Sequence, residues 1–189
     1  MTAPRRLLLA TGNSHKVTEV QAILGDRWRV EARDTGAEET GDTFEENALI
    51  KARALAAAAG ELAVADDSGI EIDALGGAPG VRSARWAADG DWIPRVLREL
   101  DGVPPAGRGC RYVCAAAAVW PGPDPREVVV TGTVEGRVPA APRGTGGFGY
   151  DPIMEPVEGD GRTFAEMPEA AKHALSHRGR AFRALAEHL

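Results

Sequence analysis

The sequence predicts an α/β fold built around a mixed β-sheet. Short apolar runs that read as buried strands alternate with segments of helical period through roughly the first half of the chain. Two long strand-like runs, Tyr112 to Trp120 and Glu127 to Val138, then follow one another across Pro121-Gly122-Pro123-Asp124-Pro125. That punctuation reads as the turn of a hairpin. With 189 residues, 43% of them hydrophobic, the chain can bury a sizeable core as one domain, residues 1–189, with or without two lobes.

The elements follow in order. Leu7 to Ala10 is a short buried strand. Gly12-Asn13-Ser14 turns it into a helix from about Ser14 to Leu24, whose Val17, Val20, Ala22, Ile23 and Leu24 keep a rough helical period. A polar loop carrying Glu38-Glu39-Thr40-Gly41 comes next. Thr43 and Glu46 make a capping box for a second helix, with Ala48, Ala52, Leu55, Ala56 and Ala59 on its apolar face and Gly60 as its stop. Leu62 to Ala65 is a second buried strand, ending at Asp66-Asp67-Ser68-Gly69. Ile70 and Ile72 alternate with Glu71 and Asp73 as in a half-exposed strand. Gly76 to Gly80 is a loop, and Asp91 to Leu100 a third helix that tolerates Pro94 in its first turn. After the hairpin comes a glycine-rich loop, Gly144 to Gly149. The C-terminus is helical from about Pro168, broken near Ser176 to Gly179, and helical again to the end.

Composition excludes some classes. A formal net charge of −6 argues against a nucleic-acid coat, which needs a basic surface. It does not exclude a triphosphate, which an acidic protein can hold if a divalent metal bridges the two and a few cations line one cleft. No stretch is long and apolar enough to span a bilayer, and Leu7 to Ala10 is too short for a signal-peptide core. A cytoplasmic location is the expectation. Cys110 and Cys114 share a strand face and read as buried thiols in a reducing compartment; a two-cysteine metal site is the alternative, without a second ligand pair nearby.

Five segments carry candidate chemistry. Thr11-Gly12-Asn13-Ser14-His15-Lys16 joins a strand to a helix N-terminus, whose free N–H groups and dipole suit phosphate, with Lys16 adding a full charge. The same pattern is also an ordinary strand–turn–helix, and its spacing is not that of a P-loop. Asp66-Asp67-Ser68-Gly69 is either a turn or a pair of carboxylates at a sheet's carboxyl edge, pointing to opposite sides. Glu38-Glu39 is a solvated acidic pair, or with Asp67 an oxygen-ligand site for a hard cation. Gly144 to Pro152 combines dense glycine, which admits a ligand close to the backbone, with Phe148, which can stack on a base; a mobile hairpin loop is the alternative. Lys172 and Ser176 share a helix face, and with His177-Arg178-Gly179 they cluster at a helix break.

These segments, in this order, closely resemble the inosine/xanthosine triphosphate pyrophosphatase family. The resemblance runs from Leu9-Ala10-Thr11-Gly12-Asn13 to Ser176-His177-Arg178-Gly179. Its most telling pieces are Thr43-Phe44-Glu45-Glu46-Asn47-Ala48, Ala65-Asp66-Asp67-Ser68-Gly69, Gly76-Gly77-Ala78-Pro79-Gly80 and Gly146-Gly147-Phe148-Gly149-Tyr150-Asp151-Pro152. It implies an elongated two-lobed fold with a central mixed sheet flanked by helices, a cleft between the lobes, and usually a homodimer. It implies a Mg²⁺-dependent hydrolase that cuts ITP, dITP and XTP to monophosphate and pyrophosphate. Thr11, Gly12, Asn13, Ser14, His15 and Lys16 would hold phosphates. Glu38 and Asp67 would be metal ligands, Asp67 also the proton acceptor, and Ser68 would touch substrate. Phe148, Gly149, Tyr150, Asp151, Lys172, His177 and Arg178 would hold the nucleoside end and phosphates. Two departures stand out: His15 replaces a residue that is often small, and Ala170-Ala171 stand where acidic residues are common, leaving Lys172 fewer partners.

The chemistry that follows is metal-assisted attack by water, with Asp67 taking its proton and Lys16 neutralising phosphate. A pyrophosphatase for modified pyrimidines is a rival; Phe148 to Asp151 with His177-Arg178 argues for purine. A protein that senses nucleotides without hydrolysis is another, but it would not need Glu38 and Asp67 together. Hypoxanthine and xanthine carry a six-oxo group that a donor can read, and Arg178, His177 and nearby backbone N–H groups are the candidate donors.

Overall fold

The computed structural model describes residues 3–87 and 90–189. Two compact units make up the chain. One consists of the chain up to Asp67 with Cys114–Gly132 and His177–Leu189; the other consists of Ser68–Val113 and Thr133–Ser176. Among the described residues the strands form a six-stranded mixed sheet in the order β2-β1-β3-β4-β5-β6. Here β1 is Arg5–Leu9, β2 Trp28–Ala32, β3 Ala63–Ile72, β4 Gly109–Trp120, β5 Arg126–Arg137 and β6 Glu155–Pro156. Strands β1, β2 and β3 run parallel where they pair, whereas β6 is antiparallel to β5. The α/β class and mixed sheet are as the sequence predicts.

In the first unit, α1 (Ser14–Leu24) begins where Asn13 caps it by accepting from His15 N. Strand β2 is not expected from sequence, because its alternation is short and flanked by charge. Burial of Trp28 and Val30 makes it a strand, and the Gln21 side chain ties it to α1, donating to Trp28 O and accepting from Val30 N. Helix α2 (Phe44–Ala59) carries the predicted capping box of Thr43 and Glu46 and stops at Gly60, whose φ of 67° suits glycine. The core joins Leu7, Leu9, Val20, Trp28, Val64, Cys114 and Phe182.

Strand β3 departs from expectation. The sequence suggests a break at Asp66-Asp67-Ser68-Gly69, yet one ten-residue strand runs through it. Turn-forming residues are overridden because both carboxylates find partners in place, as the site shows below. Strand β1 ends beside β3 at the pairing of Leu9 with Val64. Asp66 and Asp67 therefore lie just past the end of β1, next to the loop that enters α1. This is the carboxyl edge at which α/β sites form.

The C-terminal helix α5 (His177–Ala186) packs on β5 through Gly132. A Cβ there would fall 2.3 Å from His177 O and 2.6 Å from Ala181 N. Gly132→Ala is expected to destabilise the protein by about 1–3 kcal/mol, the usual effect of overpacking, and to lower Tm by several degrees. A thermal melt at the wild-type temperature would show that α5 does not sit this tightly on β5.

The second unit has its own core of Ile70, Ile72, Val96, Leu100, Tyr112, Met154 and Phe164. It holds α3 (Trp92–Glu99), flanked by Asp91 and Leu100, and α4 (Glu169–Leu175). The predicted helix break narrows to the single extended residue Ser176, with φ −63° and ψ 155°. The connection 121–125 joins the sheet neighbours β4 and β5 in the expected hairpin. Cys110 and Cys114 are both buried and free; burial pushes the Cys110 thiol up to about 12.

Candidate active site

In the first unit, the two adjacent carboxylates of β3 point to opposite sides and meet different partners. Asp66 is fully buried. Its Oδ2 accepts from Lys16 Nζ at 3.0 Å and from Arg178 Nη2 and Nε at 3.1 and 3.3 Å. The third nitrogen of that guanidinium, Nη1, donates to Glu19 Oε2 at 2.5 Å. Arg178 on α5 thus clamps β3 to α1. Burial works against the Asp66 carboxylate, but Lys16 and Arg178, with Lys51 beyond, outweigh it and hold the carboxyl well below the usual range.

Asp67 faces helix α2. Its Oδ2 accepts from Asn47 Nδ2 at 3.1 Å, and Lys51 Nζ stands 3.4 Å from its Oδ1. Asn47 and Lys51 are one helical turn apart, so α2 presents both to β3 from one face. Lys51 also donates to Glu39 Oε1 at 2.7 Å. Burial pushes the Asp67 carboxyl above its ordinary value; Lys51 opposes this and Glu39 adds to it. The result is two neighbouring carboxylates displaced in opposite directions, Asp66 held in its charged form and Asp67 raised. Such divergence makes the pair a candidate for acid–base chemistry.

The entering loop lies beside them. Thr11 Oγ1 accepts from Asn13 N at 3.0 Å, and Asn13 caps α1. A Cβ at Gly12 would sit 2.7 Å from Oδ2 of the exposed Asp34 side chain, which can move aside. Gly12, Ser14 and His15 are exposed, and Lys16 reaches in to Asp66. Glu38 is also exposed, and the neighbouring Glu39 is the one that joins Lys51 at Asp67. His177 is buried in the first turn of α5.

The second unit holds its own group. Asp151 is buried and its carboxylate gathers the glycine-rich loop. Oδ2 accepts from Lys172 Nζ at 2.6 Å and from Phe148 N at 2.8 Å, and Oδ1 accepts from the Tyr112 hydroxyl at 3.3 Å. Lys172, which the sequence suggests is short of partners, is thus in a buried ion pair, and its Nζ lies 5.0 Å from the centre of the Phe148 ring. Gly147 has φ of 67°, and a Cβ there would lie 2.0 Å from Asp151 Oδ2. Only glycine lets the loop close over the carboxylate. Phe148 and Gly149 are half-buried. Tyr150 is turned into the core, donating to Ser83 O at 2.8 Å and stacking with Trp92. Ser68, half-buried on β3, belongs to this unit.

Sequence reasoning missed Glu19, Asn47, Lys51 and Tyr112 as members of these groups. The Asn47–Lys51 spacing is a readable signal on a helix already recognised, and Lys16–Glu19 is a similar one on α1. Nothing local marks Tyr112.

The donor set bears on whether a metal fits. Among the described residues no three carboxylate, imidazole or thiol groups converge to hold a metal ion by themselves. Asp67 and Glu39 do converge on one cation, the Lys51 ammonium. Together with Asp66 and Glu19 they outnumber Lys16, Lys51 and Arg178 by one charge. A pair of carboxylates suits Mg²⁺, which is commonly bound by one or two carboxylates plus substrate phosphates.

The Ham1 family profile matches residues 7–188. A dITP/XTP pyrophosphatase of Symbiobacterium thermophilum is 50% identical over 98% of this chain and 95% of its own length. That of Streptomyces coelicolor is 49% identical over 95% of this chain and 94% of its own length. Among solved structures, a HAM1 protein from Coxiella burnetii matches at TM-score 0.83 and 39% identity, covering 97% of both chains.

Proposed function

This chain belongs to the Ham1 family, and from that premise we propose that it hydrolyses non-standard purine nucleoside triphosphates, ITP, dITP and XTP, to monophosphate and pyrophosphate. The observation that carries the mechanism is the divergence of Asp66 and Asp67. Asp67 is a buried carboxylate raised in pKa, oriented by Asn47 and Lys51, and it takes the proton of the attacking water. Asp66 holds Lys16 in place at the loop that enters α1. Lys16 and the α1 N-terminus bind phosphate oxygens. Lys51 keeps Asp67 turned toward its task. Asp67 and Glu39 would hold a divalent cation, which would supply charge neutralisation and a more acidic water. Glu39 takes the ligand role in this proposal because it, not the exposed Glu38, stands with Lys51 at Asp67. Phe148, backed by Lys172, offers a stacking surface for the base. A homodimer and a cytoplasmic location are part of the same proposal, the first supported by the resemblance and the second by two free buried thiols.

The test is a screen of nucleoside triphosphates for pyrophosphate release, with and without Mg²⁺. ITP, dITP and XTP are expected to be cut well ahead of ATP and GTP, with activity lost in excess EDTA. The raised pKa of Asp67 fixes the sign of the pH dependence. The ionised acceptor prevails above that pKa, so activity falls as pH drops through it and levels off above it. Full turnover in EDTA, or a preference for modified pyrimidines, would overturn the proposal.

A further inference from the structure

We propose that Tyr112 is a positioning residue for recognition of the nucleoside, acting through Asp151 on Lys172 and Phe148. The inference rests on the reading of Phe148 and Lys172 as the nucleoside-binding group. Tyr112 lies on β4 with its ring buried and parallel to Phe164, centroids 5.9 Å apart. Ring packing alone would be satisfied by phenylalanine. The hydroxyl does something more: it donates to Oδ1 of Asp151 at 3.3 Å.

The two oxygens of Asp151 divide their work. Oδ2 takes the Lys172 ammonium at 2.6 Å and the Phe148 backbone N–H at 2.8 Å. Rotation of a carboxylate about its last torsion is soft, and a donor on Oδ1 adds to the two bonds on Oδ2 in opposing it. With the hydroxyl in place, Oδ2 stays against the backbone of Gly147, where a Cβ would come within 2.0 Å. Lys172 then stays 5.0 Å from the centre of the Phe148 ring. Burial, and then the Asp151 charge, push the Tyr112 phenol well above its ordinary value. It is therefore a donor at every working pH. Without the hydroxyl one of these restraints is lost, so Asp151 holds the ammonium and the loop less firmly. The bond that hydrolysis breaks is not touched by this change.

The test is Tyr112→Phe, which keeps the ring and its stack on Phe164. Steady-state kinetics with ITP and Mg²⁺ are expected to show KM raised on the order of 3- to 10-fold with kcat within about 2-fold, the pattern of lost binding shared by ground and transition states. The ratio of kcat/KM for ITP over GTP is expected to fall, and Tm to stay near wild type. Phe148→Ala and Lys172→Met, measured alongside, test the underlying reading. If they raise KM for ITP and Tyr112→Phe does not, the inference fails while that reading stands. If none of the three changes KM, the reading fails and the inference falls with it. A lowered Tm with unchanged KM and selectivity would make the hydroxyl merely structural. In Tyr112→Phe combined with Lys172→Met, the KM effects are expected to be less than multiplicative; full multiplicativity would show that Tyr112 does not act through Lys172.

Discussion

Replacing Asp67 with asparagine is expected to lower kcat for ITP by roughly 10²–10⁴-fold, the usual contribution of a positioned general base, with further loss if metal affinity falls as well. Stability should not fall with it. The side chains are nearly the same shape, Asn47 can still donate to the remaining carbonyl oxygen, and Lys51 keeps Glu39. The sign of the stability change follows from the pKa. Asp67 is raised in the folded protein, because burial disfavours its charge. Its contribution to stability is therefore present at low pH and is lost as pH rises through the raised pKa. At neutral and alkaline pH the wild-type protein carries this buried charge and the variant does not. Tm of Asp67→Asn is expected to equal or exceed wild type at pH 8, with the difference closing in acid. Paired melts and single-turnover assays at several pH values measure both. Near-normal turnover in a well-folded variant would remove Asp67 from the mechanism.

Arg178→Ala is expected to act in the opposite manner, through the fold. All three guanidinium nitrogens are engaged, with Asp66 and Glu19, and the side chain is buried. Truncating it leaves two buried carboxylates short of their cation. Breaking a buried pair in this way typically costs about 3–5 kcal/mol, which in a protein of this size lowers Tm on the order of 10 °C. Arg178→Lys keeps the charge but cannot span both carboxylates, so it should fall in between. Asp66 gives the acid side. Its folded pKa is depressed, so its contribution is present above the ordinary carboxylate range and is lost as pH falls through the folded value. Wild type should lose stability in strong acid more steeply than Arg178→Ala, whose Asp66 keeps Lys16 and the more distant Lys51 but not the guanidinium. The sequence also suggests Arg178 as a donor to the six-oxo group of the base. A variant with wild-type Tm and an altered ITP-to-ATP ratio of kcat/KM would establish that role in place of the structural one.

The sequence by itself determined the parts of this protein that depend on local physics. The capping box at Thr43 and Glu46, the stop at Gly60, the turn at Gly12-Asn13-Ser14 into α1 and the turn before Arg126 are set by neighbours a few residues apart, and each appears where the pattern puts it. The order of motifs carried the family resemblance. Local signals failed where tertiary burial outweighed them: Trp28–Ala32 became a strand, and Asp66-Asp67-Ser68-Gly69 stayed inside one. Only the tertiary structure decided which charges meet. Arg178 is 112 residues from Asp66, Lys16 is 50, and Lys51 is 16 from Asp67. Asp66 and Asp67 are adjacent and chemically identical in sequence, yet one is driven below its ordinary pKa and the other above it. The pleat sends them to opposite sides of β3, and hydrogen bonds and desolvation act over a few ångströms of space, irrespective of distance along the chain.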